Sequence, residues 1–403
     1  MQIRPGNPDF LDLPWDLPLP EWSLSRLVEL PTGMHRHPVR FVAYDEGLYA
    51  VKELPLRLAH HEFEVLRSLS SAIKPVVAPV GIVERQWLNP GIEGAGAVIT
   101  RYVEFAFPYR ELISEGGFGV RRDQMLDAFA GLLVELHLAG CFWGDCSLSN
   151  VLYRYDAETI QAIMIDAETV RLYPQLSPGQ RRDDLDIMIM NVAGGMADIA
   201  ASQGLDIDDA DLYLGEDIAA RYEALWSELE RDIVVGPEER YKIGQHISRL
   251  NELGFEVEDV VLTPDESGGQ KVRIHVAVCA RAFHATRLRE LTRIDASEHQ
   301  ARQILADLRY FEANNEMTTA TGKSVAAIKW RVEVFEPLLR RIRELLDGDA
   351  DPVQGYCDFL HHRYLLAAAQ GRDIANDEAF DSWVAAGTPG YLDDDLFEPA
   401  TTD

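Results

Sequence analysis

His137-Leu-Ala-Gly140-Cys141-Phe-Trp143-Gly144-Asp145-Cys146-Ser-Leu-Ser-Asn150-Val-Leu152, with Ile165-Asp166-Ala-Glu168 after it, is the stretch on which the fold turns. Upstream, residues 122–140 have helical period: apolar Met125, Ala128, Phe129, Leu132, Leu133 and Leu136 recur at short intervals, and Gly140 is the stop. Downstream, residues 151–155 and 162–165 are short apolar runs of strand type. The order is helix, polar loop, hairpin, carboxylate. Asp145 and Asn150 lie five residues apart on the loop, and Asp166 stands at the end of the hairpin. One loop carboxylate is ordinarily just solvated, and a lone Asn is ordinarily a turn former. The information lies in the combination.

That combination suits phosphoryl transfer. The chemistry needs one carboxylate to orient a hydroxyl nucleophile and oxygen ligands to hold Mg²⁺ against nucleotide phosphates. Asp145 and Asn150 can do two of those jobs from one turn, and Asp166 can supply the main metal ligand. Glu168, two residues on, is either a further ligand or a solvated turn residue. His137 reads as a brace for the loop rather than a catalyst. Asp184, at the start of a helix over 184–199, either holds the loop backbone or favours the helix N-terminus. Cys141 and Cys146 read as small buried thiols, since no basic neighbour in sequence depresses their pKa.

Such a site also needs a lysine on a strand and an acid on the next helix. Residues 39–44 (VRFVAY) and 48–54 (LYAVKEL) flank Asp45-Glu46-Gly47 and predict a hairpin. A helix pattern spans 56–73, and a strand is expected over 97–105. Lys52 and Val51 fall on alternate faces of their strand. Glu62 interrupts the apolar stripe of Ala59, Leu66, Leu69 and Ile73, and an inward carboxylate is costly unless paired. Lys52 is the expected partner of Glu62, with Glu64 as second choice. Before the hairpin, Pro31-Thr-Gly33-Met-His35-Arg36-His37-Pro38 offers one glycine for close backbone approach. His35, Arg36 and His37 read either as phosphate contacts or as surface residues. Residues 1–24, rich in Pro, Asp and Trp, look extended.

Residues 1–105 therefore form a β-rich lobe with a leader, residues 106–235 a helical catalytic lobe, and a short hinge falls near 104–108. From about Gly236 the character changes: a helix over 240–253, two strands over 255–262 and 271–279, then amphipathic helices. This reads as a separate, mostly helical α+β domain over 236–403, with a disordered acidic tail. Arg302, Arg363 and Arg372 there are candidates for an anion site, or are solvated helix charges. The net charge of −29 argues against nucleic acid or anionic membrane surfaces as the main partner. No run of about 18 apolar residues predicts a membrane span, and the start of the chain lacks a signal-peptide pattern. Four scattered cysteines without metal-site spacing point to the reducing cytoplasm.

Leu136-His137, Gly140, Asp145, Asn150 and Ile165-Asp166 resemble the protein-kinase-like superfamily, in its lipopolysaccharide (Kdo/heptose) kinase and aminoglycoside phosphotransferase branch. The chain is more closely similar to a bacterial family that joins a kinase-like half to a C-terminal domain of unknown function. Ile165-Asp-Ala-Glu-Thr169, Leu176-Ser-Pro-Gly-Gln-Arg181, Arg249-Leu-Asn-Glu-Leu-Gly-Phe255, Gln300-Ala-Arg302, His362-Arg-Tyr364 and Gly371-Arg-Asp373 carry that likeness. The general resemblance covers roughly residues 35–235. It implies a bilobal fold, ATP and Mg²⁺ as cofactors, Asp145 as catalytic base, Asn150 and Asp166 as metal ligands, and Lys52 with Glu62 positioning the nucleotide. Two departures stand out: Trp143 occupies the place of the usual His before Gly-Asp, and no Gly-x-Gly-x-x-Gly loop is present. The expected activity is phosphoryl transfer to a hydroxyl of a small molecule, glycan or protein. AMP transfer is an intermediate possibility. The alternative is a nucleotide-binding pseudokinase or scaffold whose C-terminal domain binds a partner protein.

Overall fold

The computed structural model describes residues 1–30, 36–73, 75–109, 121–204, 209–231, 233–235, 239, 241–264, 272–315, 320–346, 348 and 350–391. Two compact units divide the chain. The first holds residues 1–154, 161–234 and 258–280; the second holds 155–160, 235–257 and 281–403. The architecture is α+β, with an antiparallel sheet lobe first and mostly helix after it.

The first unit begins with β1 (Gln2–Ile3), β2 (Leu27–Val28), β3 (Val39–Tyr44), β4 (Gly47–Leu54), α1 (Leu56–Ala72), β5 (Pro79–Glu84) and β6 (Gly96–Arg101). The six strands form one antiparallel sheet in the order β1-β5-β6-β4-β3-β2. Strand side chains alternate between faces. One face presents Val42, Tyr49, Val51, Ala97 and Ile99, and Phe10, Leu13, Trp15, Leu19 and Trp22 of the leader cover it. The other presents Leu54, Ile82 and Val98 against Ala59 and Phe63 of α1. The alternation sends Lys52 to the α1 side and Glu53 to the leader side, where Glu53 is buried against Arg85. The leader thus contributes a buried apolar layer through these five side chains, which its Pro-rich composition concealed. Its indoles satisfy chain carbonyls outside any regular element: Trp15 donates to Phe10 (2.7 Å) and Trp22 to Leu17 (3.1 Å).

The expected strand over 97–105 stops at Arg101, because the chain turns at Phe105 (φ 58°). After this turn come β7 (Ala106–Pro108), α2 (Arg121–Leu138), β8 (Cys141–Phe142), β9 (Val151–Asp156), β10 (Thr159–Met164) and β11 (Arg171–Leu172). β7 pairs antiparallel with β9. Helices α3 (Pro178–Gln203), α4 (Asp209–Leu212) and α5 (Leu214–Leu229) complete this part. α3 begins six residues before the expected 184, because Ser177 and Gln180 form a capping box with Pro178 in the first turn. By length and composition alone, its stretch 178–202 is apolar enough to cross a membrane, where no membrane span was expected. In the unit it packs against α5 and β8.

Then follow β12 (Ile233–Val235), α6 (Tyr241–Glu252), β13 (Phe255–Pro264) and β14 (Val272–Arg281); α6 belongs to the second unit, and each of the three strands has residues in both. The rest of the second unit is helical: α7 (Phe283–Thr292), α8 (Glu298–Asn314), α9 (Ala320–Trp330), a π-helical turn Arg331–Phe335, α10 (Glu336–Leu345), α11 (Pro352–Gln370) and α12 (Asn376–Ala385). Leu288, Ile304, Leu308, Trp330, Tyr356, Phe359, Phe380 and Trp383 form its core. Asp307 is buried there and accepts from Trp330 Nε1 (2.9 Å), Tyr356 OH (2.9 Å) and Arg363 (2.6 Å). The turn 155–160 belongs to this unit. Its buried Asp156 accepts from Ser297 Oγ (2.7 Å) and the Gln300 N–H (2.8 Å), capping α8. Arg302, Arg363 and Arg372 each have a separate carboxylate, Glu158, Asp307 and Glu378. They do not converge on an anion site. The acidic tail 393–395 lies outside the described residues.

Candidate functional site

The alternation of β4 and the helical register of α1 bring three charged groups together in the first unit. Lys52 Nζ lies 2.8 Å from Asp166 Oδ2 and 3.1 Å from Glu62 Oε2. Glu64 points elsewhere and pairs with Arg67 on the exposed side of α1. Burial pushes the Glu62 carboxyl up to about 7, with Lys52 acting against that rise. Burial also opposes charge on Lys52 and Asp166, but there the ionic partners win. Lys52 is raised by Glu62 and Asp166, and Asp166 is held below its ordinary value by Lys52. Lys52 lies closer to Asp166 than to Glu62, and it is the cation that both carboxylates share. α1 is tied to the same region by His61 Nε2, 2.8 Å from the Val170 carbonyl.

The loop between α2 and β9 is held from below by α3. Asp184 is fully buried and accepts from the N–H groups of Trp143 (2.7 Å) and Gly144 (2.8 Å), from Cys146 Sγ (3.4 Å) and at His137 Nε2 (3.2 Å). Gly144 adopts φ 78°, a conformation costly for other residues. Gly140 is constrained further: at φ 72° a Cβ would fall 1.9 Å from the Tyr173 carbonyl oxygen. His137 Nδ1 meets Tyr222 OH at 2.8 Å, so this ring is committed to bracing. Burial pushes the Cys141 and Cys146 thiols up, which makes both poor nucleophiles.

Trp143, the departure from the branch pattern, has a structural use. Its indole Nε1 donates to the Asp166 carbonyl (3.1 Å), and its own carbonyl accepts from Thr169 Oγ1 (2.8 Å). It links the loop to the segment after the hairpin. The Ile165 N–H donates to the Asn150 carbonyl (3.0 Å), which brings the two ends of the hairpin together. Asp145 is exposed. Asn150 Nδ2 reaches its carbonyl (3.0 Å) and Oδ2 (3.4 Å), and Asn191 Nδ2 reaches Oδ1 (3.0 Å). A carboxylate and a carbonyl only accept, so the Asn150 amide nitrogen faces Asp145 and its oxygen is left for another partner.

His37 departs from both expectations. Its ring is buried between Glu93 (2.6 Å from Nδ1) and Glu168 (3.0 Å from Nε2). It is neither a surface residue nor free to swing, and Glu168 is correspondingly occupied. Arg36 is exposed. Gly33 and His35 lie outside the described residues. Sequence reasoning missed Asn191 and the partners of His37. Asn191 had a signal: it is the one polar residue in Ile187-Met-Ile-Met-Asn-Val-Ala-Gly-Gly-Met-Ala197. Nothing in the sequence near His37 points to Glu93 or Glu168, because both contacts span more than 50 residues.

No curated protein matches the chain in sequence. Among solved structures, WaaP in complex with acyl carrier protein is similar at 14% identity, over 56% of this chain and 88% of that one, with a TM-score of 0.35. Residues 224–387 match the family model described as a domain of unknown function (DUF4032), in the C-terminal part where the sequence led to such a domain being expected.

Proposed function

We propose that the chain is an ATP- and Mg²⁺-dependent phosphotransferase that moves the γ-phosphoryl group to a hydroxyl of a small-molecule, glycan or protein acceptor. One observation carries the reading: a half-buried lysine shared by a helix carboxylate and Asp166, beside a loop that presents Asp145 and Asn150. The donor set fits a nucleotide-bound Mg²⁺. Among the described residues no cluster of three His, Cys, Asp or Glu forms a protein-only metal cage. Asp166 and the free oxygen of Asn150 are two hard donors, and Mg²⁺ bound that way takes its remaining ligands from phosphates and water. The metal would supply charge neutralisation at the transferring phosphate. Lys52 would bind the α- and β-phosphates, with Glu62 holding its ammonium in place. Asp145 would orient the acceptor hydroxyl and take its proton as the new P–O bond forms and ADP leaves.

The test is a pair of variants on one preparation. Asp166→Asn is expected to weaken Mg·ATP binding by calorimetry with the fold intact. Asp145→Ala is expected to keep that affinity but lose transfer of labelled γ-phosphate by about a hundredfold or more. Equal Mg·ATP affinity in Asp166→Asn refutes the metal assignment. A wild-type chain that binds ATP yet transfers neither phosphate nor AMP is a nucleotide-binding pseudoenzyme.

A further inference from the structure

We infer that Asn191 is a positioning residue for the Asp145 carboxylate, an assignment that rests on the phosphotransferase reading. Asn191 is on α3, and its Nδ2 donates to Asp145 Oδ1 at 3.0 Å across 46 residues of chain. The same helix, seven residues earlier, carries Asp184, which holds the N–H groups of Trp143 and Gly144. Seven residues return a helix to nearly the same azimuth, about 10 Å further along. One face of α3 therefore grips the loop twice, at the backbone before Asp145 and at the Asp145 carboxylate.

The grip matters because of where Asp145 lies. Its side chain is exposed, and the terminal torsion of an aspartate has a broad minimum. Left to water, the carboxylate would sample many orientations, while proton acceptance from a bound hydroxyl needs one. Asn150 contributes only a long contact to the other oxygen (3.4 Å), and its main hold is on the Asp145 carbonyl. Among the described residues Asn191 is the side chain from outside the loop that fixes the carboxylate. It touches neither Lys52 nor Asp166 by hydrogen bond, so its effect should fall on turnover and not on nucleotide affinity.

The experiment uses the full chain with Mg·ATP labelled at the γ-phosphate, reading transfer to water and to the chain itself, alongside Mg·ATP affinity by calorimetry. Asn191→Ala is expected to lower kcat by about ten- to a hundredfold while KM and Kd for Mg·ATP stay within about twofold. Asn191→Asp, isosteric but anionic, should lose at least as much, because it replaces a donor with a like charge against Asp145. In an Asp145→Ala background, Asn191→Ala should cost nothing further, a non-additivity that a merely structural role would not give. An active wild type with unchanged Asn191→Ala turnover, or full additivity with Asp145→Ala, overturns this role alone. A wild type that binds Mg·ATP but passes label to neither water, the chain itself nor any component of an added cell extract overturns the phosphotransfer reading and this role with it.

Discussion

Replacing Asp184 by Asn tests whether α3 holds the loop by charge or only by shape. Asp184 is fully buried and serves four donors on its two oxygens. Oδ1 faces the Gly144 N–H and Cys146, and Oδ2 faces the Trp143 N–H and His137 Nε2. Asparagine keeps one oxygen, so whichever way it turns, one backbone N–H confronts an NH₂ group. A buried donor left without an acceptor costs about 1–3 kcal/mol. The remaining contacts lose their charge assistance, worth about 1 kcal/mol more. The total is about 3 kcal/mol, comparable to breaking other buried charge networks. Because the chain has two compact units, a single melting temperature is a blunt probe. Hydrogen exchange resolved to the peptide covering residues 139–150 is the better assay. Asp184→Asn should speed exchange at the Trp143 and Gly144 amides by about a hundredfold, the equivalent of about 3 kcal/mol. Unchanged exchange there would show that packing of Trp143, not the carboxylate, fixes the loop.

Two further outcomes follow from the same structure. Phe10 is fully buried between Tyr44 and Tyr49, with centroids 5.0 Å from each, so Phe10→Ala should destabilise the first unit by about 3–5 kcal/mol in urea unfolding; a loss below about 1 kcal/mol would mean the leader is not part of the core. Asp156→Ala removes the acceptor of Ser297 Oγ and of the Gln300 N–H, and should cost the second unit about 2 kcal/mol with faster exchange at the start of α8; wild-type protection of residues 297–301 would refute the cap.

The sequence by itself determined the local elements and the pattern of polar residues on them. Alternation in Gly47–Leu54 sent Lys52 to one face, and an interrupted apolar stripe marked Glu62 as inward. Those signals are short-range, since they depend on two- and 3.6-residue periods. What only the tertiary structure decided was the set of partners from distant segments. The leader carries too few regular apolar spacings to declare itself, yet Phe10, Leu13, Trp15, Leu19 and Trp22 fill one face of the sheet. His37 meets Glu168 across 131 residues, and Asn191 meets Asp145 across 46. That Asp184 could hold the loop backbone was one of its two readings in the sequence; the capping box at Ser177, which puts it two turns into α3, and the Trp143 and Gly144 N–H groups it takes came only with the structure. Periodicity tells a side chain which face to occupy. Which other face it then meets is settled by how sheet, helices and loops pack, because burial energy is non-directional and the pairing of buried polar groups is not.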